Sequence, residues 1–242
     1  VDDPTGYGRV IRDAAGDVAR IVEQKDADDA EKATREINAG VYVFRAGLLR
    51  TELAQVTTDN AQGEMYLTTV IGLLRAHDEK VAVEIAADTT ATFGINDRVQ
   101  LAEAARTLND RIVRRWQREG VTIQDPATTW IDDDVTLAPD VTVLPNTHIL
   151  RASTVASGAV IGPDTTLVSC EVGEDAEVRR SEATLAVIGA RATVGPFSYL
   201  RAGTTLGDEG KIGAYVETKN AQIGEGSKVP HLSYVGDATV GR

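Results

Sequence analysis

Arg201 and Lys219, 18 positions apart, and His231 shortly beyond them are side chains whose types could hold a phosphate and move a proton. An imidazole titrates near neutrality and so suits a general base. Each residue also has a plainer reading, as two solvated charges splayed apart and a histidine holding a corner. The other titratable groups narrow the options. His77, His148 and His231 are scattered without metal-ligand spacing, and Cys170, the lone cysteine, cannot form an internal disulfide. A formal net charge of −12 repels polyanions, so neither nucleic acid nor an anionic membrane is an expected partner. A small anionic substrate would need cations placed deliberately.

What could place them is a repeat. Ile131, Leu137, Val143, Ile149, Val155, Ile161 and Leu167 are each six residues after the last. The register resumes at Val172 and Val178, at Ile188, Val194, Leu200, Leu206 and Ile212, and at Ile223, Val229 and Val235. Small or β-branched residues follow four places after many of these: Val135, Val141, Thr147, Ser153, Ala159 and Thr165. A six-residue period fits neither an ordinary helix nor a simple strand. It predicts a hexapeptide β-solenoid, each hexad one side of a prism around an aliphatic column. Three hexads make a coil of 18 residues, so Gln124 to Arg242 is expected to hold about six coils. If the register holds, Arg201 and Lys219 stack on neighbouring coils about 5 Å apart. Two cations at that distance repel by about 3 kcal/mol at an effective dielectric of 20, which a bound phosphate would relieve. The step from Ile212 to Ile223 breaks the period and weakens that inference.

The first hundred residues have a different texture. Val18–Val22 and Gly40–Phe44 read as strands, and Asp26–Glu36, Gly47–Leu53 and Tyr66–Ala76 as helices, an alternation that fits an α/β domain. From Arg98 to Glu119 the pattern predicts one long amphipathic helix with Leu101, Ala105, Leu108, Ile112 and Trp116 on its buried face. No apolar run approaches the roughly 18 residues that span a bilayer.

Several segments, in order along the whole chain, carry a family likeness: TGYGR (5–9), IVEQKDA (21–27), EINAGVY (36–42), NAQGEMYLT (60–68), GINDR (94–98), GPFSYLRAG (195–203), VETKNAQIG (216–224) and KVPHLSYVGDA (228–238). Together they resemble the bifunctional GlmU family, N-acetylglucosamine-1-phosphate uridyltransferase joined to glucosamine-1-phosphate acetyltransferase. The resemblance implies the end of a Rossmann-like nucleotidyltransferase domain over 1–98, a linker helix over 99–119 and a truncated left-handed parallel β-helix over 120–242. It implies an internal piece of a longer enzyme of cell-wall precursor synthesis, cytoplasmic and homotrimeric through its β-helix. The whole enzyme would acetylate glucosamine 1-phosphate from acetyl-CoA, then join the N-acetylglucosamine 1-phosphate to UTP, giving UDP-N-acetylglucosamine.

By the same resemblance, Gly8, Glu23, Asn38 and Asn96 bind UDP-N-acetylglucosamine, and Asn96 also holds Mg²⁺. A residue without Cβ lets the main chain meet the ligand, and hydroxyl recognition needs fixed donors and acceptors. Lys25, Tyr66 and Thr68 lie in matching segments and are expected to line the site. Thr69 stands where many relatives have Asp. His231 matches the general base, and Arg201, Lys219 and Tyr234 match residues that hold glucosamine 1-phosphate. The nucleotide loop, an Asp metal ligand and the acetyl-CoA contacts would lie beyond the two ends, so this stretch alone is expected to be incomplete in both sites. Two alternatives are another sugar-1-phosphate nucleotidyltransferase with a solenoid, such as an ADP-glucose pyrophosphorylase relative, and a catalytically silent trimerising scaffold.

Overall fold

The computed structural model describes residues 1–92 and 94–241. Phe93 and Arg242, the last residue of the expected solenoid, lie outside the described residues. By contacts the chain divides into two units, Val1–Gln100 and Leu101–Arg242.

The second unit is a parallel β-solenoid of about seven turns, one more than the hexad count predicts. Short strands stack into three faces, running from Thr122–Ile123, from Trp130–Ile131 and from Thr136–Leu137 up to the C-terminal coils. Two nine-residue strands, Lys211–Lys219 and Lys228–Gly236, bend around a corner and join two of the faces. The six-residue period translates directly into burial. Ile149, Ile161 and Leu167 are wholly inaccessible, and the small residues four places on, such as Val141, Thr147 and Ala159, are equally buried. Each aliphatic side chain removed from water contributes about 1.5–3 kcal/mol, so the column holds the coils together where strands of two residues could not.

Coil length explains the broken period. Tyr199 pairs with Glu217, 18 residues on, but Thr205 pairs with Gln222, 17 on, and Glu177 with Thr193, 16 on. The short step from Ile212 to Ile223 is a 17-residue coil in which Leu206 still meets Ile223. Inward positions are kept because the missing residue comes out of a corner.

The long helix α4 spans Arg98–Arg118. Its Ile112, Val113 and Trp116 join the solenoid's core cluster. Asn109, 3% exposed, donates from Nδ2 to Thr129 O (2.8 Å) and accepts from Ile131 N (3.0 Å) at Oδ1, satisfying backbone at the solenoid's first turn. The predicted face is therefore rotated: Leu101 and Leu108 are about half exposed, 53% and 54%. A polar residue occupies part of the buried stripe because the first coil has unpaired backbone to satisfy. The unit boundary falls between Gln100 and Leu101, in the first turn of this helix.

In the first unit, β1 (Arg9–Arg12) and β2 (Val18–Val22) form an antiparallel hairpin. Helix α3 (Thr69–Ala76) packs Ile71 with Val10 and Val18, while Val70 and Leu74 cluster with Val56 near α2 (Ala46–Leu53). Two expectations fail here. Gly40–Phe44 forms no strand: Tyr42 and Phe44 pack inward, but Val41 and Val43 are 80% and 99% exposed, with no neighbouring strand among the described residues. The predicted helix over Asp26–Glu36 shrinks to α1, Asp29–Lys32, started by an Asp28–Glu31 capping box and ended within a turn because it buries nothing. The unit does mix strands and helices, and β1–β2 is its one sheet among the described residues. Among the described residues no helix is long and apolar enough to cross a membrane.

Candidate functional site

A cleft of about 420 Å³ in the first unit is lined by Gly8, Glu23, Asn38, Gly94 and Asn96, among others. The hairpin register sets Gly8 beside Glu23. A Cβ added at Gly8 would stand 3.3 Å from both Glu23 Oε2 and Ile21 Cγ2, so a larger residue would crowd the carboxylate. Glu23 Oε1 accepts from Thr68 Oγ1 at 2.9 Å, leaving Oε2 towards Gly8. Asn38 is pinned twice: its N–H donates to Gly8 O (2.8 Å), and its Oδ1 accepts from Gly40 N (3.0 Å) and Tyr42 Oη (2.8 Å). The Gly40 N–H can only donate, which fixes the amide's orientation and turns the Asn38 NH₂ away from these partners, free to donate. Burial raises the Tyr42 phenol above its ordinary pKa and the Glu23 charge adds to this, against the Asn38 bond. The phenol therefore stays a neutral donor. Asn96 is exposed, its N–H donating to Gln100 Oε1 (2.7 Å), and Tyr7 Oη donates to Gly94 O (3.2 Å) across the cleft. The cleft thus offers an acceptor, a fixed amide donor and a close-approach glycine, a set suited to a hydroxyl-rich ligand.

Lys25 and Tyr66 do not line this cleft. They meet through Gln62, which accepts from Lys25 Nζ (2.7 Å) and donates to Tyr66 Oη (2.8 Å). Thr68 reaches it through Glu23, and Thr69 begins α3.

On the solenoid, the register that pairs Tyr199 with Glu217 and Leu200 with Thr218 carries Arg201 alongside Lys219, and Lys219 pairs in turn with Gly236. The step of 18 holds at this point. A Cβ on Gly236 would lie 2.3 Å from Tyr234 Oη, so the phenol sits over Gly236 and beside the Lys219 column. Beside Arg201 is a group that spacing did not single out: Glu217 Oε1 accepts from Arg201 Nη1 at 2.9 Å, both side chains being nearly half exposed. That bond takes up part of the repulsion expected between the cations. His231 pairs with Ala214, three residues before Tyr234 on the same strand and across the corner residue Leu232, whose φ is +48°. About 10 Å of extended chain separates it from Tyr234. Its ring is exposed and makes no hydrogen bond among the described residues. Cys170, by contrast, is buried and its thiol is pushed up by burial, which makes it a poor nucleophile.

No family model matches the chain. Individual proteins do. The chain is 64% identical over 241 residues to bifunctional protein GlmU of Clavibacter sepedonicus, covering 100% of the chain and 49% of that protein. It is 58% identical over 239 residues to GlmU of Kineococcus radiotolerans (99% and 48%) and 55% identical over 241 residues to GlmU of Paenarthrobacter aurescens (100% and 48%). The chain belongs to the GlmU family. It spans about half the length of the curated GlmU proteins it matches. A perosamine N-acetyltransferase from Caulobacter crescentus, solved with CoA and GDP-perosamine, is 18% identical over 67% of this chain and 85% of that one, with a TM-score of 0.25. At that score the likeness carries no weight.

Set against the GlmU motifs, the cleft gathers Gly8, Glu23, Asn38 and Asn96, and one solenoid edge gathers Arg201, Lys219 and Tyr234, with His231 across the corner. Tyr42 and Gln24, which hold neighbouring groups, and Glu217 lie inside the quoted segments, yet the motifs single out none of them for a role. Glu217 was findable as the outward residue stacked between Tyr199 and Tyr234. Magnesium fits poorly. It takes most of its roughly six oxygens from water and substrate phosphates but usually needs one or two protein carboxylates, and the described residues contain no group of three or more His, Cys, Asp or Glu able to hold a metal. Asn96 would supply one neutral oxygen, and the facing carboxylate of Glu23 is already engaged by Thr68.

Proposed function

We propose that this protein takes part in making UDP-N-acetylglucosamine. The Leu101–Arg242 unit, a left-handed β-helix in this reading, acetylates glucosamine 1-phosphate from acetyl-CoA. Val1–Gln100 contributes the sugar-binding part of a nucleotidyltransferase domain that joins N-acetylglucosamine 1-phosphate to UTP. The observation that carries the acetyl-transfer reading is the stack of Arg201 and Lys219, with the Tyr234 phenol over Gly236, on the strand that also bears His231. The two cations take the phosphate of the amino sugar, with Arg201 exchanging its bond to Glu217 for one to the incoming anion. Neutral His231 accepts the proton from the sugar's amino nitrogen as that nitrogen attacks the thioester carbonyl. The carbon–sulfur bond then breaks, and the imidazolium returns the proton to the departing thiolate.

In the first unit, the Asn38 amide and the Glu23 carboxylate hydrogen-bond the N-acetylglucosamine moiety, with Gly8 letting the backbone close on it. Asn96 meets the nucleotide sugar. As a ligand to Mg²⁺ it stands alone among the described residues. A homotrimer is supported by an exposed apolar corner, where Phe197 and Tyr215 stack at 5.3 Å with Leu232 next in register, 50%, 60% and 76% exposed. The family's cytoplasmic setting is carried over with the rest.

The test is direct. The full-length polypeptide carrying this sequence should release CoA thiol from acetyl-CoA only when glucosamine 1-phosphate is present. No release dependent on the amino sugar would reject acetyl transfer and leave a scaffold.

A further inference from the structure

Arg9 is the largest fully buried side chain among the described residues, 1% exposed. Its Nη1 donates to Tyr7 O, its Nη2 donates to Gln24 Oε1 (2.6 Å), and its Nε has no partner among the described residues. The same Gln24 oxygen accepts from Gly6 N at 3.3 Å. One guanidinium and one amide oxygen therefore tie down consecutive residues of the Gly6–Tyr7–Gly8 segment, all three of which line the cleft. Among the described residues no carboxylate lies within 4 Å of Arg9, although, behind the Thr5 hydrogen bonds, its charge helps to hold the Asp3 carboxyl below its ordinary value from farther off, so the guanidinium's direct partners are neutral acceptors. Burying a charge that way is unfavourable, and an apolar side chain of similar volume is commonly neutral or stabilising in such a place. Stability is a poor account of this residue; holding a loop is a better one.

We propose that Arg9, acting through Gln24 and the Tyr7 carbonyl, is a positioning residue that fixes the Gly6–Gly8 backbone at the cleft wall where the phosphosugar is read. The ligand half of this rests on the sugar-binding reading above; the clamp half does not. The experiment is residue-resolved amide hydrogen exchange on the full-length polypeptide. In Arg9→Met, exchange at Gly6 and Tyr7 should rise about tenfold while Val10 and Ile11 in β1 are unchanged. The melting temperature should stay within about 3 °C of wild type. Gln24→Leu should loosen the same amides, and Gln24→Glu, which keeps the acceptor, should not. Affinity for N-acetylglucosamine 1-phosphate should fall about tenfold in the two loosened variants. Unchanged loop exchange in Arg9→Met would overturn the clamp, as would a rise shared equally by β1 and β2 with a falling melting temperature. If the variants loosen the loop but N-acetylglucosamine 1-phosphate leaves the wild-type Gly8 amide unprotected, the clamp stands and the sugar reading fails.

Discussion

His231→Ala is expected to lower acetyl transfer to glucosamine 1-phosphate by about 10²–10⁴-fold, the range a positioned general base contributes. The loss should fall on kcat more than on KM, because the phosphate is held elsewhere, by Arg201 and Lys219. Stability should hardly change. The imidazole is exposed and unpaired among the described residues, and the strand is held by backbone pairing of Ala214 with His231 and Val216 with Ser233, which alanine preserves. Steady-state kinetics beside a melting curve check this. A variant that kept wild-type turnover would remove His231 from the chemistry, and one that lost turnover by unfolding would leave its role structural.

Gly213→Ala should act from the other direction, destroying activity by destroying the fold around it. A Cβ at Gly213 would stand 1.7 Å from Pro230 O, a backbone atom of the next coil and the residue just before His231. Gly213 O also accepts from Ser198 Oγ (2.6 Å), so the residue is held from the coil below as well. Nothing flexible can yield. The strands Lys211–Lys219 and Lys228–Gly236 must part, at a cost of about 3 kcal/mol, the upper end of ordinary overpacking. Chemical denaturation should report that loss, and acetyl transfer should fall as far as in His231→Ala. Wild-type stability in Gly213→Ala would mean that the two coils are not packed as described.

How much of this was legible beforehand differs between the units for a physical reason. In the solenoid each inward position recurs because one aliphatic column needs one side chain per hexad, so Ile131 to Leu167 could be read directly from the text. What the period could not give was coil length, since a corner can lose a residue without disturbing an inward position, as between Leu206 and Ile223. In the first unit, Val41 and Val43 have strand-forming side chains but no neighbouring strand to complete a sheet among the described residues. Propensity alone therefore misled. The cleft residues were named by motif, yet what orients them was invisible to spacing: Thr68 lies 45 residues from Glu23, and the Tyr42–Asn38 bond depends on an amide orientation fixed by Gly40. Glu217 was passed over because an outward glutamate on a strand ordinarily reads as solvated. Only the stacking of Tyr199, Glu217 and Tyr234, two residues over from the Lys219 column, gives it a place beside Arg201.

The most direct measurement is calorimetric binding of glucosamine 1-phosphate and of glucosamine, which lacks the phosphate, to wild type and to Lys219→Ala. Lys219 should weaken the phosphosugar by about tenfold or more when removed, as a charge-assisted phosphate contact would, and leave glucosamine unaffected. Equal affinity of wild type and Lys219→Ala for glucosamine 1-phosphate would contradict the assignment of this solenoid edge to an amino sugar phosphate.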